Sequence, residues 1–183
     1  MASSATESIR WRLAADPESK WGFIVYRCTY KSDEEWARYM SILNTHVRAM
    51  LEPEELSDCF DRIDWNVQED PRYEGMGDEG VRAEFRKWVE SGEEVNDGSA
   101  RFLACIWVDE MSMKFMTEEE HPAEEFDMFG LFHIYLVSIE DAERPDEGLQ
   151  AVGLSYLLPR AYLLIEDPGW WIIYKEDGDV SLP

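Results

Sequence analysis

Three histidines, His46, His121 and His133, offer the acid–base chemistry that works near neutral pH. None belongs to an HExxH pair or another spacing that would bring two ring nitrogens onto one metal ion. His133 is the best acid–base candidate. It stands inside the apolar run 129–137, where an imidazole must either satisfy its ring nitrogens internally or face a cavity. Tyr135, two residues on, shares its side of an extended segment. A pocket lined by His133 and Tyr135 would suit a lyase or isomerase working by general acid–base chemistry, whereas internal bonding within a strand is the competing reading. His46 follows Leu43 by three residues on a helical stripe and reads as a structural boundary residue. His121 closes the run Glu118, Glu119, Glu120, His121, which attracts divalent cations. Consecutive ligands on a loop lack fixed geometry, so neither a metal centre nor a cofactor is expected.

The remaining reactive residues read as structural. Cys28, Cys59 and Cys105 are odd in number, widely spaced and set among apolar neighbours, the pattern of reduced, buried thiols in a cytosolic or nuclear protein. Asp58, Asp61 and Asp64 recur every third residue and would line one side of a helix, but residues 63–67 alternate as a strand and break that side. The segment GMGDEG at 75–80 spells GxGxxG before a helix. Asp78 and Glu79 stand where a pyrophosphate would approach, so charge opposes dinucleotide binding. The chain has no GxSxG, no P-loop and no Cys/His pair in recognisable context. Of its eight tryptophans, Trp36, Trp65 and Trp88 occupy apolar phases and read as core. Trp170 and Trp171 are adjacent on a segment read as extended, so they face opposite sides and one is left for a partner.

Charge narrows the partners. Forty Asp and Glu against 17 Lys and Arg give the 183 residues a net charge of −23, while a hydrophobic content of 45% is too high for a disordered polyanion. The first 50 residues carry seven basic and six acidic groups, and the rest carry ten and 34. Such a surface repels nucleic acid and anionic membrane, so no direct DNA or RNA binding is expected and a protein partner would be basic. Arg62, Arg72, Arg82, Arg86 and Lys87 interrupt the acidic stretches, which favours a solubility coat over a phosphate-mimicking stripe. No apolar run approaches the ~18–20 residues of a membrane span. Residues 1–16 are polar, without an apolar leader core, so a cytoplasmic or nuclear setting is expected.

The elements that would position these residues follow from periodicity. Residues 1–19 read as a flexible leader, 20–175 as one α+β domain and 176–183 as a polar tail. Residues 21–30, WGFIVYRCTY, make the strongest strand, apolar on both sides and so central in a sheet. Ser32 and Glu35 form a capping box for a helix over 33–51, ended by Pro53. A short strand at 63–67, a helix over 78–90 capped by Asp78 and ended by Gly92, and a strand at 102–108 follow. Residues 111–116 fit a strand or a short helix. Residues 128–139 read as a long strand, 159–166 as a proline-led helix and 170–174 as a last strand. The expected fold is a mainly antiparallel sheet of four or five strands with two main helices on one face, ferredoxin-like in its specific form.

WGFIVYRCTY, the capped helix containing Trp36, IDWNVQED, the glycine loop, VRAEFRKWV, FLACIWVDE and GWWIIY together resemble a group of uncharacterised proteins from filamentous fungi, over most of residues 21–174. The resemblance implies one domain in a fungal intracellular setting and transfers no catalytic residue. The end departs from that group, with Lys175, Glu176 and Asp177 in place of a basic, proline-containing finish. The expected function is a non-enzymatic interaction module for an unidentified protein. The alternative is a small-molecule binder or enzyme with an aromatic pocket. Oligomeric state is open.

Overall fold

Residues 23–26 are apolar on both sides, and burial on both sides decides the architecture. In the computed structural model, which describes residues 4–140 and 145–183, all four residues of β1 (Ile24–Arg27) are buried. The other strands are β2 (Asn66–Gln68), β3 (Ala104–Val108), β4 (His133–Ser138) and β5 (Leu149–Gly153), in the order β2-β1-β3-β4-β5. β1 pairs in parallel with both β2 and β3, whereas β3–β4 and β4–β5 are antiparallel. The fold is therefore α+β with a mixed five-stranded sheet.

Parallel neighbours need crossovers, supplied by α2 (Asp33–Leu51) between β1 and β2 and α3 (Asp78–Ser91) between β2 and β3. β2 and β3 flank β1 on opposite sides, so crossovers of the same hand put the two helices on opposite faces. The packing shows this. Val25, Ile106 and Ile134 share one core with Leu43 and Val47 of α2. Ile24, Tyr26, Cys105 and Val137 share the other with Val81, Phe85 and Trp88 of α3. This corrects the expected ferredoxin-like sheet with both helices on one face. A strand apolar on both sides needs cover on both sides, which is the signature of a parallel, doubly wound unit.

Local signals placed most boundaries. Ser32 caps α2, its hydroxyl accepting from the Glu35 amide at 3.1 Å. Gly92 ends α3 with φ +68°, although Gly77 rather than Asp78 is its N-cap. Residues 110–117 form α4 (Glu110–Thr117), held by a reciprocal capping box between Asp109 and Ser112. Three expectations are corrected. The leader contains α1 (Ser4–Ala15), whose Ile9 and Leu13 lie one turn apart and are buried in the α2-side core. The proline-led helix is shorter than read, α5 (Tyr162–Glu166). Trp170–Ile172 is a 3-10 turn, and the last strand is β5 instead. The tail is also anchored: the Ser181 amide donates to Ala151 O (2.8 Å) and the Gly153 amide to Ser181 O (2.9 Å), a parallel bridge along β5. Among the described residues no helix is long and apolar enough to cross a membrane.

Candidate functional site

In doubly wound sheets ligands sit at the carboxyl ends of the parallel strands, where helix N-termini attract anions. Here that edge is filled from within. α2 begins with Asp33, Glu34 and Glu35, α3 with Asp78 and Glu79, and α4 with Glu110 behind Asp109. Lys31 and Lys114 both pair with Glu110, and their hydrogen bonds, Lys114's first, push its carboxyl down to about 2. Glu74 accepts the Tyr30 amide at 2.7 Å. The buried Arg27 is pinned between Asp33 (2.5 Å) and Glu69 (3.0 Å) beneath the rings of Tyr30 and Trp36. The glycine segment does lie between β2 and α3, but the Gly75 amide is spent on Cys28 O at 2.9 Å. A Cβ on Gly80 would stand 2.7 Å from Met76 Cγ, so that glycine serves internal packing.

His133 and Tyr135 lie side by side on β4, ring centroids 5.6 Å apart. His133 Nδ1 is 3.0 Å from Gly130 O, and its ring also rests on Phe115. Tyr135 borders a cavity of about 190 Å³ with Gln150, Tyr174, Lys175 and Glu176; His133 is not among the residues lining it. Burial and the neighbouring Asp109 raise the Tyr135 phenol. The two residues are thus neighbours, and the cavity that Tyr135 borders does not take in His133. The three cysteines are free and buried, and burial raises each thiol, Cys28 to about 12.

His46 holds a position that its spacing did not reveal. It is fully buried, with Nδ1 2.8 Å from Ala123 O and Nε2 2.8 Å from Ser155 Oγ. A carbonyl only accepts, so Nδ1 carries the proton and Nε2 accepts from the Ser155 hydroxyl. Ser155 Oγ in turn accepts the Asp127 amide at 2.8 Å, and the Asp127 carboxylate accepts the amides of Phe129 (3.0 Å) and Phe132 (2.8 Å). The order Ser155–His46–carbonyl is that of an activated serine, but Ser155 is buried and its oxygen is tied to the Asp127 amide. The network fixes the backbone of residues 123–132 to the core. The partners lie 77 and 109 residues from His46, beyond any local motif; the clue was its place among the buried positions Leu43, Val47 and Met50 of α2.

What that network holds is an apolar face. Among the described residues ten large hydrophobic side chains are exposed, and six of them fall in 111–131: Met111, Phe115, Phe126 (56% exposed), Met128, Phe129 (72%) and Leu131. Contacts through their neighbours join Phe115, Leu182 and Phe126, with Met111 one helical turn from Phe115 and 128–131 following Phe126 in the chain. Phe115 packs on His133, which is bonded to Gly130. A Cβ on Gly130 would lie 2.9 Å from Leu182, and one on Gly153 would meet both Leu182 and Tyr156. Tyr156 packs edge-on against Phe126 at 5.5 Å. Around the strip stand Glu118, Glu120, Glu124 and Glu125, all exposed. His121 lies in this rim, its Nε2 3.3 Å from Glu125 O and its ring on Phe132. Among the described residues no group of three or more His, Cys, Asp or Glu is placed to hold a metal ion. On the 170–172 turn Trp170 packs against the core and donates to Glu147 O at 2.8 Å, while Trp171 is 65% exposed.

Comparison with protein-family models, with curated proteins and with solved structures returns no match.

Proposed function

We propose that this chain is a non-enzymatic protein-interaction module that engages a partner through the strip formed by α4, residues 126–131 and Leu182. The observation that carries this reading is that exposed Met111, Phe115, Phe126, Met128, Phe129 and Leu131 all fall within residues 111–131, with Phe115, Leu182 and Phe126 joined through His133, Gly130, Gly153 and Tyr156. Single exposed apolar residues are ordinary on any protein, whereas a contiguous patch with a polar rim is the usual form of an interaction site. The backbone under the strip is held by the Asp127, Ser155 and His46 bonds, so Phe126 and Phe129 are presented with little ordering left to lose on binding. Exposed aromatic side chains of this kind supply most of the energy of such contacts. Trp171 forms a second, smaller contact point. The resemblance of residues 21–174 to the fungal group agrees with an intracellular setting and adds no residue role.

Photo-crosslinking from a benzoylphenylalanine at position 129 tests the reading, with the same group at the 89% exposed Val95 as the control. In extracts of the source cell, position 129 should give a discrete adduct with one protein, reproduced with that protein purified. Adducts no more discrete or abundant than those from position 95 would sink the proposal.

A further inference from the structure

We infer that the partner element seated on this face is a cationic amphipathic helix, an inference that rests on the docking reading above. Charge is the first ground. The chain from Asp109 to Leu131 carries eight Asp and Glu against one basic residue, Lys114, which is itself paired with Glu110 at 2.8 Å. Asp127 is buried and consumed by amides, but Glu118, Glu120, Glu124 and Glu125 are exposed, and Glu124 and Glu125 directly precede Phe126 in the chain. A second copy of this chain would set one such rim against another, and like charges facing across an interface oppose association. An anionic lipid surface is repelled for the same reason.

Backbone satisfaction is the second ground. An extended peptide binds by adding to a free strand edge, yet the edge of β5 beside the strip is already taken by Ser181, through the Ser181–Ala151 and Gly153–Ser181 bonds. A helix brings its own backbone bonds and needs only side-chain contact. Met111 and Met128 add unbranched, adaptable surface, and with Phe115, Phe126, Phe129 and Leu131 they match the apolar stripe of a helix. Lysine and arginine on the flanks of that helix would meet the glutamates of the rim.

Calorimetric titration of the full chain with designed peptides tests this. The probe is a Leu/Lys peptide of about 18 residues with leucine at i, i+3, i+4 and i+7. The comparators are a scrambled peptide of equal composition, a Leu/Glu peptide of the same pattern, and phosphatidylcholine vesicles containing phosphatidylserine. The Leu/Lys helix should bind at least ~10-fold tighter than the scrambled and Leu/Glu peptides, with a negative heat-capacity change and weakening as salt rises. Phe126→Ser with Phe129→Ser should cost at least ~10-fold, and E118Q/E119Q/E120Q several-fold with a flatter salt dependence. Unchanged binding by the Phe126/Phe129 variant, with wild-type thermal unfolding, overturns the docking reading itself. Loss in that variant, together with equal binding of the Leu/Glu helix, leaves docking in place and overturns the cationic partner. Vesicle binding that the same phenylalanine substitutions abolish replaces a helix with a membrane.

Discussion

His46 ties the apolar strip to the core, and its titration gives that role a measurable size. Burial lowers its pKa from the ordinary 6.5; the Ala123 carbonyl and the Asp127 carboxylate pull it up by less, and nearby His121 pushes it down. A folded-state pKa below the unfolded one means that the unfolded chain binds the extra proton. The stability is therefore fully present above pH 6.5 and is lost as the pH falls below it toward the folded value. If folded His46 stays neutral throughout, acidification from about pH 7.5 to about 5.5 removes up to ~1.4 kcal/mol. Geometry points the same way, because an imidazolium would donate from both nitrogens and displace the Ser155 proton from its acceptor. The net charge of −23 works in the opposite sense, since acidification relieves carboxylate repulsion, so the comparison must be with a variant of nearly equal charge. His46→Gln can donate to Ala123 O and accept from Ser155 without titrating. Urea unfolding at the two pH values should show wild type losing about 1 kcal/mol more than His46→Gln. Losses equal within about 0.3 kcal/mol would show that His46 is not held neutral and that the network argument fails.

Two further substitutions probe the frame around the site. Arg101 is 1% exposed and donates to both Glu94 oxygens (2.6 and 2.7 Å) and to Asp64 Oδ2 (2.6 Å), clamping the 94–101 loop to the start of β2. Arg101→Met leaves Asp64 with Lys20 at 3.5 Å and Glu94 with the Asn66 side-chain amide at 3.3 Å, and should cost ~2–3 kcal/mol in urea unfolding, below the full cost of a broken buried pair because both carboxylates reach solvent; a loss under ~1 kcal/mol would refute it. Gly130 has φ +70°, and a Cβ there would lie 2.9 Å from Leu182 and Val180. Gly130→Ala should cost about 1–2 kcal/mol and loosen the tail from β5, seen as faster hydrogen exchange at the Ser181 and Gly153 amides; protection unchanged at both would count against the packing described.

The parts of the fold legible in the sequence are those governed by near neighbours. Ser32 with Glu35, the stripe Leu43–Val47–Met50 and Gly92 after Val89 each act within a turn or two, and α2 and α3 lie where those signals put them. Strand direction is a long-range property. Nothing within 24–27 states that its partners are 66–68 and 105–108, so its apolar character on both sides implies burial but leaves the direction of its neighbours open. β5 escaped because LQAVG is short, carries Gln150 and follows an acidic stretch. The site was obscured by a different conflict. Residues 128–139 read as one long strand, but Asp127 just before them folds back onto the amides of Phe129 and Phe132, and Gly130 within them adopts positive φ. β4 begins only at His133, leaving Phe129 and Leu131 in the open. Aspartate before an apolar run and glycine within it are turn signals, and they were the available warning.

The distribution of carboxylates separates those that serve folding from those that do not. At the first turns of α2, α3 and α4, acidic residues offset the positive end of the helix dipole and set negative charge where a bound phosphate would approach. That edge is therefore stable and closed to anions. After α4, Glu119 accepts the amides of Glu120 (2.9 Å) and His121 (3.2 Å), whereas Glu118, Glu120, Glu124 and Glu125 are exposed. Glu118 is the C-cap of that helix and Glu119 and Glu120 follow it, at the negative end of the dipole, where a carboxylate opposes the fold and a lysine would favour it. Next to them lie Glu124 and Glu125, exposed, with Phe126, Met128 and Phe129 directly beyond. A cluster that costs stability where it stands, beside apolar side chains that also gain nothing from water, is relieved on both counts by one kind of contact, a surface that is apolar in the middle and positive at its margins.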